Sequence, residues 1–197
     1  VTTGQTTIVL ATHERAAAIL RDQLHEVDGR HLDLPVTSCP GWTVSDLLDH
    51  VVGGAKRYAL LLEGAPSALV EETRHQRQPF PTIAVDYVRL EERFRRAYRE
   101  ASPGVTVNHR AGAIGRDELL RMRLLECVLH RWDLGHAIGS GPALDDSLCA
   151  TVLSECASTL TRLAQLGFYA PLPERAGEGN AARLLAASGR RADPSGR

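Results

Sequence analysis

Apolar positions recur at helical spacing in five long stretches of this chain, separated by segments rich in proline, glycine and polar residues. The first runs from about Thr7 to Val27, with Ile8, Leu10, Ala11, Ala18, Ile19, Leu20 and Leu24 to one side. The second has the clearest start. Thr43-Val44-Ser45-Asp46 sets a hydroxyl three residues before a carboxylate, which reads as a capping box with Asp in place of Glu. Val44, Leu47, Leu48, Val51, Ala55, Ala59 and Leu62 then mark a buried stripe, and Gly64-Ala65-Pro66 ends it. Residues 64–81 contain three prolines and predict a long loop. A third helix, amphipathic and rich in Arg and Glu, spans about Thr82 to Glu100 and stops at Pro103-Gly104. Val105, Val107 and the glycines at 112 and 115 predict an irregular or briefly extended stretch. The fourth helix runs from Asp117 to about Ile138, the fifth from near Asp145 to Gln165, and a short last helix from about Asn180 to Ala187. The pattern predicts an all-α protein, an up-down bundle of four main helices with an extra short C-terminal helix. Residues 1–190 are expected to form one domain and 191–197 a polar tail.

The fourth helix departs from simple amphipathicity. From Leu119 to Leu134 it is apolar nearly all round, so it should be largely buried. Within that run Glu126 and His130 lie four residues apart, on one face and one turn from each other. A buried carboxylate and imidazole need a strong partner. A divalent metal is one such partner; an ordinary helical Glu–His pair is the other.

Composition narrows the picture. The chain has 197 residues and a formal net charge of −1, so nothing points to nucleic acid or a membrane surface. No apolar run approaches the ~18 residues needed to span a bilayer, and no signal peptide opens the sequence. Cys39, Cys127, Cys149 and Cys156 show no C-x-x-C spacing; Cys127, Cys149 and Cys156 read as small buried hydrophobes. A cytoplasmic protein, monomer or homodimer, is expected. Lys56 is the sole lysine among 23 basic residues, a codon-level sign of a GC-rich genome.

A metal in a bundle takes ligands from facing helices. His13, His25 and His31 stand beside charged residues and read as solvated. His75 falls in the polar loop. His109 could be buried or exposed. His136 is turned to the opposite side of the helix from His130. His50 differs. It lies on the second helix beside the apolar stripe, followed by Gly53 and Gly54, which cost a helix about 1 kcal/mol each relative to Ala. Close helix packing is one explanation of the two glycines. The other is space beside His50 for a bound cofactor. His50, Glu126 and His130 together would give two imidazoles and a carboxylate, with a fourth position open, as in catalytic rather than structural zinc sites. Nickel, iron or manganese could occupy such a set. Asp133, one turn beyond His130, could hold that ring's second nitrogen. Arg57 and Arg123 flank the two faces and could recognise an acidic group, or could instead pair with Asp46 and Glu126.

These residues carry a resemblance. Thr37-Ser38-Cys39-Pro40-Gly41-Trp42-Thr43-Val44, followed by Asp46-Leu47-Leu48 and His50, resembles the signature of the mycothiol-dependent maleylpyruvate isomerase N-terminal domain family, one of the DinB-like metal-binding four-helix bundles. Glu126 through His130, then Trp132-Asp133-Leu134, resembles its second signature, and Leu184-Leu185 with Gly189-Arg190 the ending of its single-domain members. The resemblance implies a divalent metal, usually zinc, on His50, Glu126 and His130. It also implies a low-molecular-weight thiol, mycothiol in actinobacteria, used in isomerisation or S-transfer. The arginine-rich composition fits such a host.

Three functional readings follow. The first is a metal-dependent enzyme that uses mycothiol as co-substrate on a small electrophilic or acidic metabolite. None of the four cysteines reads as a nucleophile, so the thiol would come from outside the chain. The second is a metal-dependent hydrolase, with Asp133 or Asp46 as base. The third is a metal-binding or partner-binding module without catalysis.

Overall fold

The computed structural model describes residues 3–141, 143–172 and 178–191. The expected polar tail lies almost wholly outside the described residues. Four long helices form the bundle: α1 (Thr3–Leu24), α2 (Val44–Leu62), α4 (Ile83–Glu100) and α5 (Arg116–Ala137). α1 packs on α4 and α5, and α2 packs on the same two, so α1 and α2 stand diagonally across the core. The remaining described helices are α3 (Ser67–Glu72), α6 (Asp146–Glu155), α7 (Ala157–Gln165) and α8 (Gly179–Ala187). One hydrophobic core runs through the bundle and takes in α6, α7 and α8. Among the described residues no helix is long and apolar enough to cross a membrane.

α2 begins as its sequence dictates. The Thr43 hydroxyl accepts from the Asp46 N–H, and the Asp46 carboxylate accepts from the Thr43 N–H at 2.9 Å. This reciprocal cap fixes the rotation of α2 and therefore the direction of His50, one turn past Asp46. α5 is buried on nearly every side, as its apolar run requires. Gly139, at φ +76°, ends it, a conformation open to glycine without steric penalty.

Two predicted segments turn out differently, and the brief extended stretch is more regular than expected. The stretch after α4 is a regular antiparallel hairpin, β1 (Thr106–His109) with β2 (Gly112–Gly115), which feeds directly into α5. The loop between α2 and α4 contains α3. The fifth helix is broken at Cys156 into α6 and α7, because Arg121 on α5 reaches across and donates to the Glu155 carbonyl at 2.9 Å, holding the end of α6 against α5.

Candidate metal centre and its cleft

Contact between α2 and α5 brings His50 and Glu126 together, with His50 Nε2 3.8 Å from Glu126 Oε1. The His50 and His130 rings meet edge to face, centroids 4.9 Å apart. Trp42, just before the α2 cap, lies 5.0 Å from the His50 ring and 6.5 Å from that of His130. All four line a cleft of about 630 Å³, a size suited to a small-molecule site. Its other walls come from the hairpin (His109, Arg110), from Tyr58 and Arg57 of α2, and from the segment after α7 that includes Tyr169 and Arg190.

The donor chemistry suits a divalent cation. Burial, then the neighbouring His130, push the His50 imidazolium down to about 3, leaving a neutral ring nitrogen. Burial alone would raise Glu126, but Arg123 with His50 and His130 outweighs it and holds the carboxyl at about 2. His130 Nδ1 is engaged by Asp133 Oδ2 at 2.8 Å, which leaves Nε2 as the free ring nitrogen. Two donors on one tetrahedral zinc stand roughly 3.4 Å apart, given ligand distances of about 2.0–2.1 Å. The 3.8 Å between His50 and Glu126 is close to that. The three donors are not drawn together as tightly as two other trios among the described residues, whose candidate atoms all lie within 4.8 Å of one another. Neither trio is better placed chemically. In Cys39–His130–Asp133, His130 and Asp133 are bonded to each other, and burial with the Asp133 carboxylate pushes the Cys39 thiol up to about 11. In His13–Glu91–Cys127, Glu91 is taken by Arg123, and burial pushes Cys127 up to about 12.

Asp133 is itself tightly held. Arg190 donates to its two oxygens at 2.7 Å each, and the Ser38 hydroxyl donates to Oδ1. Burial opposes its ionisation, but Arg190 and His130 win and keep the carboxyl well below its usual range. Gly189, at φ +78°, makes this possible. A Cβ there would fall 2.7 Å from the Ala170 carbonyl oxygen, so only glycine lets the chain pass and aim Arg190 inward.

Several sequence expectations need correcting. Arg123 does not face the cleft: it is 0% exposed and committed to Glu91, Glu126 and the Val51 carbonyl, so it cannot anchor a substrate. Gly53 and Gly54 form no cofactor floor. A Cβ on Gly53 would meet Arg57 Nη1 at 3.0 Å, and one on Gly54 would meet Arg123 Nη1 at 2.9 Å, so the space they leave is filled by the two guanidinium groups. His13 is not solvated but 0% exposed, facing Glu91 at 3.1 Å. Asp46 and Asp133 are both tied into hydrogen bonds, so neither is a free base. Arg57 pairs with no Asp46, which Arg77 takes instead at 2.9 Å. Among the described residues, Arg57 is left with two backbone carbonyls at 3.4 and 3.5 Å.

Tyr58 escaped the sequence reading, and Arg190 entered it only as part of the family-like ending, with no partner assigned. The Tyr58 hydroxyl donates to Glu126 Oε1 at 2.9 Å. Its place two turns past His50 on the same helix was available as a signal; that of Arg190, distant in sequence from Asp133, was not.

The architecture is that of a four-helix bundle with two histidines and a glutamate, a candidate donor set, at a cleft between two of its helices. The chain belongs to the mycothiol maleylpyruvate isomerase N-terminal domain family, whose profile matches residues 13–135. Two uncharacterized proteins of Mycobacterium tuberculosis, from strains CDC 1551 / Oshkosh and ATCC 25618 / H37Rv, are each 26% identical to it over 150 residues, 74% of this chain and 75% of theirs. The crystal structure of a mycothiol-dependent maleylpyruvate isomerase superposes with a TM-score of 0.67 at 19% identity, covering 95% of this chain and 90% of that one. A histidine-to-alanine variant of that enzyme gives 0.67 at 18%. At these identities the likeness is one of fold.

Proposed function

We propose that this chain is a metal-dependent enzyme that uses a low-molecular-weight thiol, mycothiol, to isomerise or S-conjugate a small acidic metabolite. The observation that carries this reading is one cleft that presents His50, Glu126 and His130 together with buried Arg57, which has no carboxylate partner among the described residues. His50, Glu126 and His130 would hold a divalent cation, with zinc favoured by the two imidazoles and one carboxylate. Such a cation supplies Lewis acidity, lowering the pKa of a thiol or polarising an electrophile.

The chain's own side chains do the rest. Arg57, short of partners, binds a carboxylate of the metabolite, with Arg74 and Arg110 at the rim adding positive charge. Asp133 orients His130 through Nδ1, and Tyr58 fixes one oxygen of Glu126. Trp42 and Tyr169 present aromatic surface and limit water. In isomerisation the thiol sulfur adds to a conjugated carbon–carbon double bond, the new single bond rotates, and the same thiol is lost, with no net redox change. Cys39 is the one cysteine lining the cleft, and its thiol is held protonated, which favours an external thiol as nucleophile. The hydrolytic reading is weaker, because Asp46 and Asp133 are already engaged.

The test is calorimetry of zinc-loaded protein with mycothiol, and zinc stoichiometry of His50→Ala. Binding of mycothiol by the wild type, and loss of zinc from the variant, are expected. Full zinc stoichiometry in His50→Ala, or no heat of thiol binding, would sink the reading.

A further inference from the structure

Behind the donor set lies a guanidinium that never reaches the cleft. Arg123 Nη1 donates to Glu126 Oε2 at 2.7 Å, and Nη2 donates to the Val51 carbonyl at 2.9 Å. Val51 is the residue after His50. One side chain therefore holds the donor carboxylate of α5 and the backbone beside the donor histidine of α2. Its other edge is taken by α4, where Nε donates to Glu91 Oε1 at 2.8 Å and Nη2 bonds the same oxygen. Glu91 is 1% exposed, and its second oxygen faces His13 Nε2 of α1 at 3.1 Å. Side chains of α1, α4 and α5 and a backbone carbonyl of α2 thus meet behind a centre that two of these helices line.

We infer that Glu91 is a positioning residue for the metal centre, acting through Arg123 to set the orientation and charge of Glu126. This rests on the reading of His50, Glu126 and His130 as the donors. The argument is one of charge as well as geometry. Arg123 is shared between two carboxylates. Glu91 cancels its charge, which leaves Glu126 a net anion toward the cleft. With Glu91 neutral, the whole guanidinium charge falls on Glu126. The carboxylate then becomes a poorer donor, and the pocket behind it repels a cation in surroundings where charges are weakly screened. The missing side chain at Gly54 is part of the same device, because a Cβ there would sit 3.2 Å from Glu126 Oε2 as well as against Arg123.

Zinc affinity, by competition with a chromophoric chelator, and the absorption bands of the cobalt(II)-loaded protein separate this role from simple core stability. Glu91→Gln keeps the shape and loses the charge. In folded protein, checked by circular dichroism, it should weaken zinc about 10–100-fold and shift the cobalt bands, while Glu91→Asp recovers most of the affinity. A folded Glu91→Gln protein with wild-type affinity and bands would overturn the inference. If Glu91→Gln does not fold, the wild type decides. The Nε–H resonance of Arg123 should move when zinc is added, and its failure to move refutes the coupling. A wild type that takes up no zinc, or a His50→Ala protein that binds it normally, removes the donor assignment itself, and this inference with it.

Discussion

Asp133 and Arg190, separated by 57 residues in sequence, are joined by two hydrogen bonds of 2.7 Å. The same Asp133 carboxylate holds His130 Nδ1, so the segment after α8 sets the orientation of a candidate ligand on α5. Arg190→Ala should remove that control. Breaking one side of a buried pair costs about 3–5 kcal/mol, and the loosened ring should lose roughly 10–100-fold in zinc affinity. Arg190→Lys should rescue only partly, because an ammonium cannot make the paired contact. Thermal melts and chelator competition measure the two effects separately.

The two glycines of α2 should respond differently to the same change. Arg123, against Gly54, is pinned by Glu91, Glu126 and Val51 and cannot retreat. Gly54→Ala should therefore destabilise the fold by about 1–3 kcal/mol through overpacking. Arg57, against Gly53, is held only by long contacts to carbonyls and can shift. Gly53→Ala should be near neutral or stabilising, since alanine gains about 1 kcal/mol of helix propensity over glycine. Equal losses of melting temperature in the two variants would show that Arg57 is as fixed as Arg123.

Arg57 itself should matter for binding more than for stability. Arg57→Met keeps the aliphatic packing and removes no ion pair. We expect little change in melting temperature and a loss of about 10-fold or more in affinity for a dicarboxylate, the scale of one charge-assisted bond of about 1.5–3 kcal/mol. Titration calorimetry with a dicarboxylate and its neutral ester checks this. Equal binding of both by the wild type would rule out an acid anchor.

Acid sensitivity should trace to the buried carboxylates depressed on folding, Glu126 and Asp133 among them, with one share from Glu91. Burial would raise its pKa, but Arg123 and His13 bring it down to about 2 from an ordinary 4.5. A carboxyl depressed on folding contributes stability that is complete above about pH 4.5 and lost as the pH falls toward 2. The melting temperature should therefore fall steeply across that window. A folded Glu91→Gln protein should be less stable at neutral pH and show a flatter profile.

What the sequence made legible was local. The Thr43/Asp46 cap, the apolar run of α5 and the i, i+4 spacing of Glu126 and His130 each lie within a few turns of helix, where periodicity and side-chain chemistry act directly. What stayed hidden depends on partners distant in sequence. His13 reads as solvated because its neighbours are charged, and only Glu91, on another helix, makes its burial tolerable. For Arg123 the sequence leaves open an acid anchor or a pair with Glu126; the pair forms, and only Glu91 and the Val51 carbonyl, on other helices, close off the first reading. Gly53 and Gly54 announce a space but not what fills it.

The family match, residues 13–135, contains His50, Glu126, His130 and Asp133 but ends before Leu163, Tyr169 and Arg190, which wall the same cleft. The candidate donors and one wall of the cleft are thus encoded in separate stretches of the chain. Changes in that wall can reshape the cleft while the candidate donor set stays as it is. The Asp133–Arg190 pair fastens the two stretches beside His130, and Arg162, donating to the Ala111 carbonyl at 2.8 Å, fastens them again at the hairpin. A bundle of this design can diversify its chemistry at the margin without rebuilding its centre.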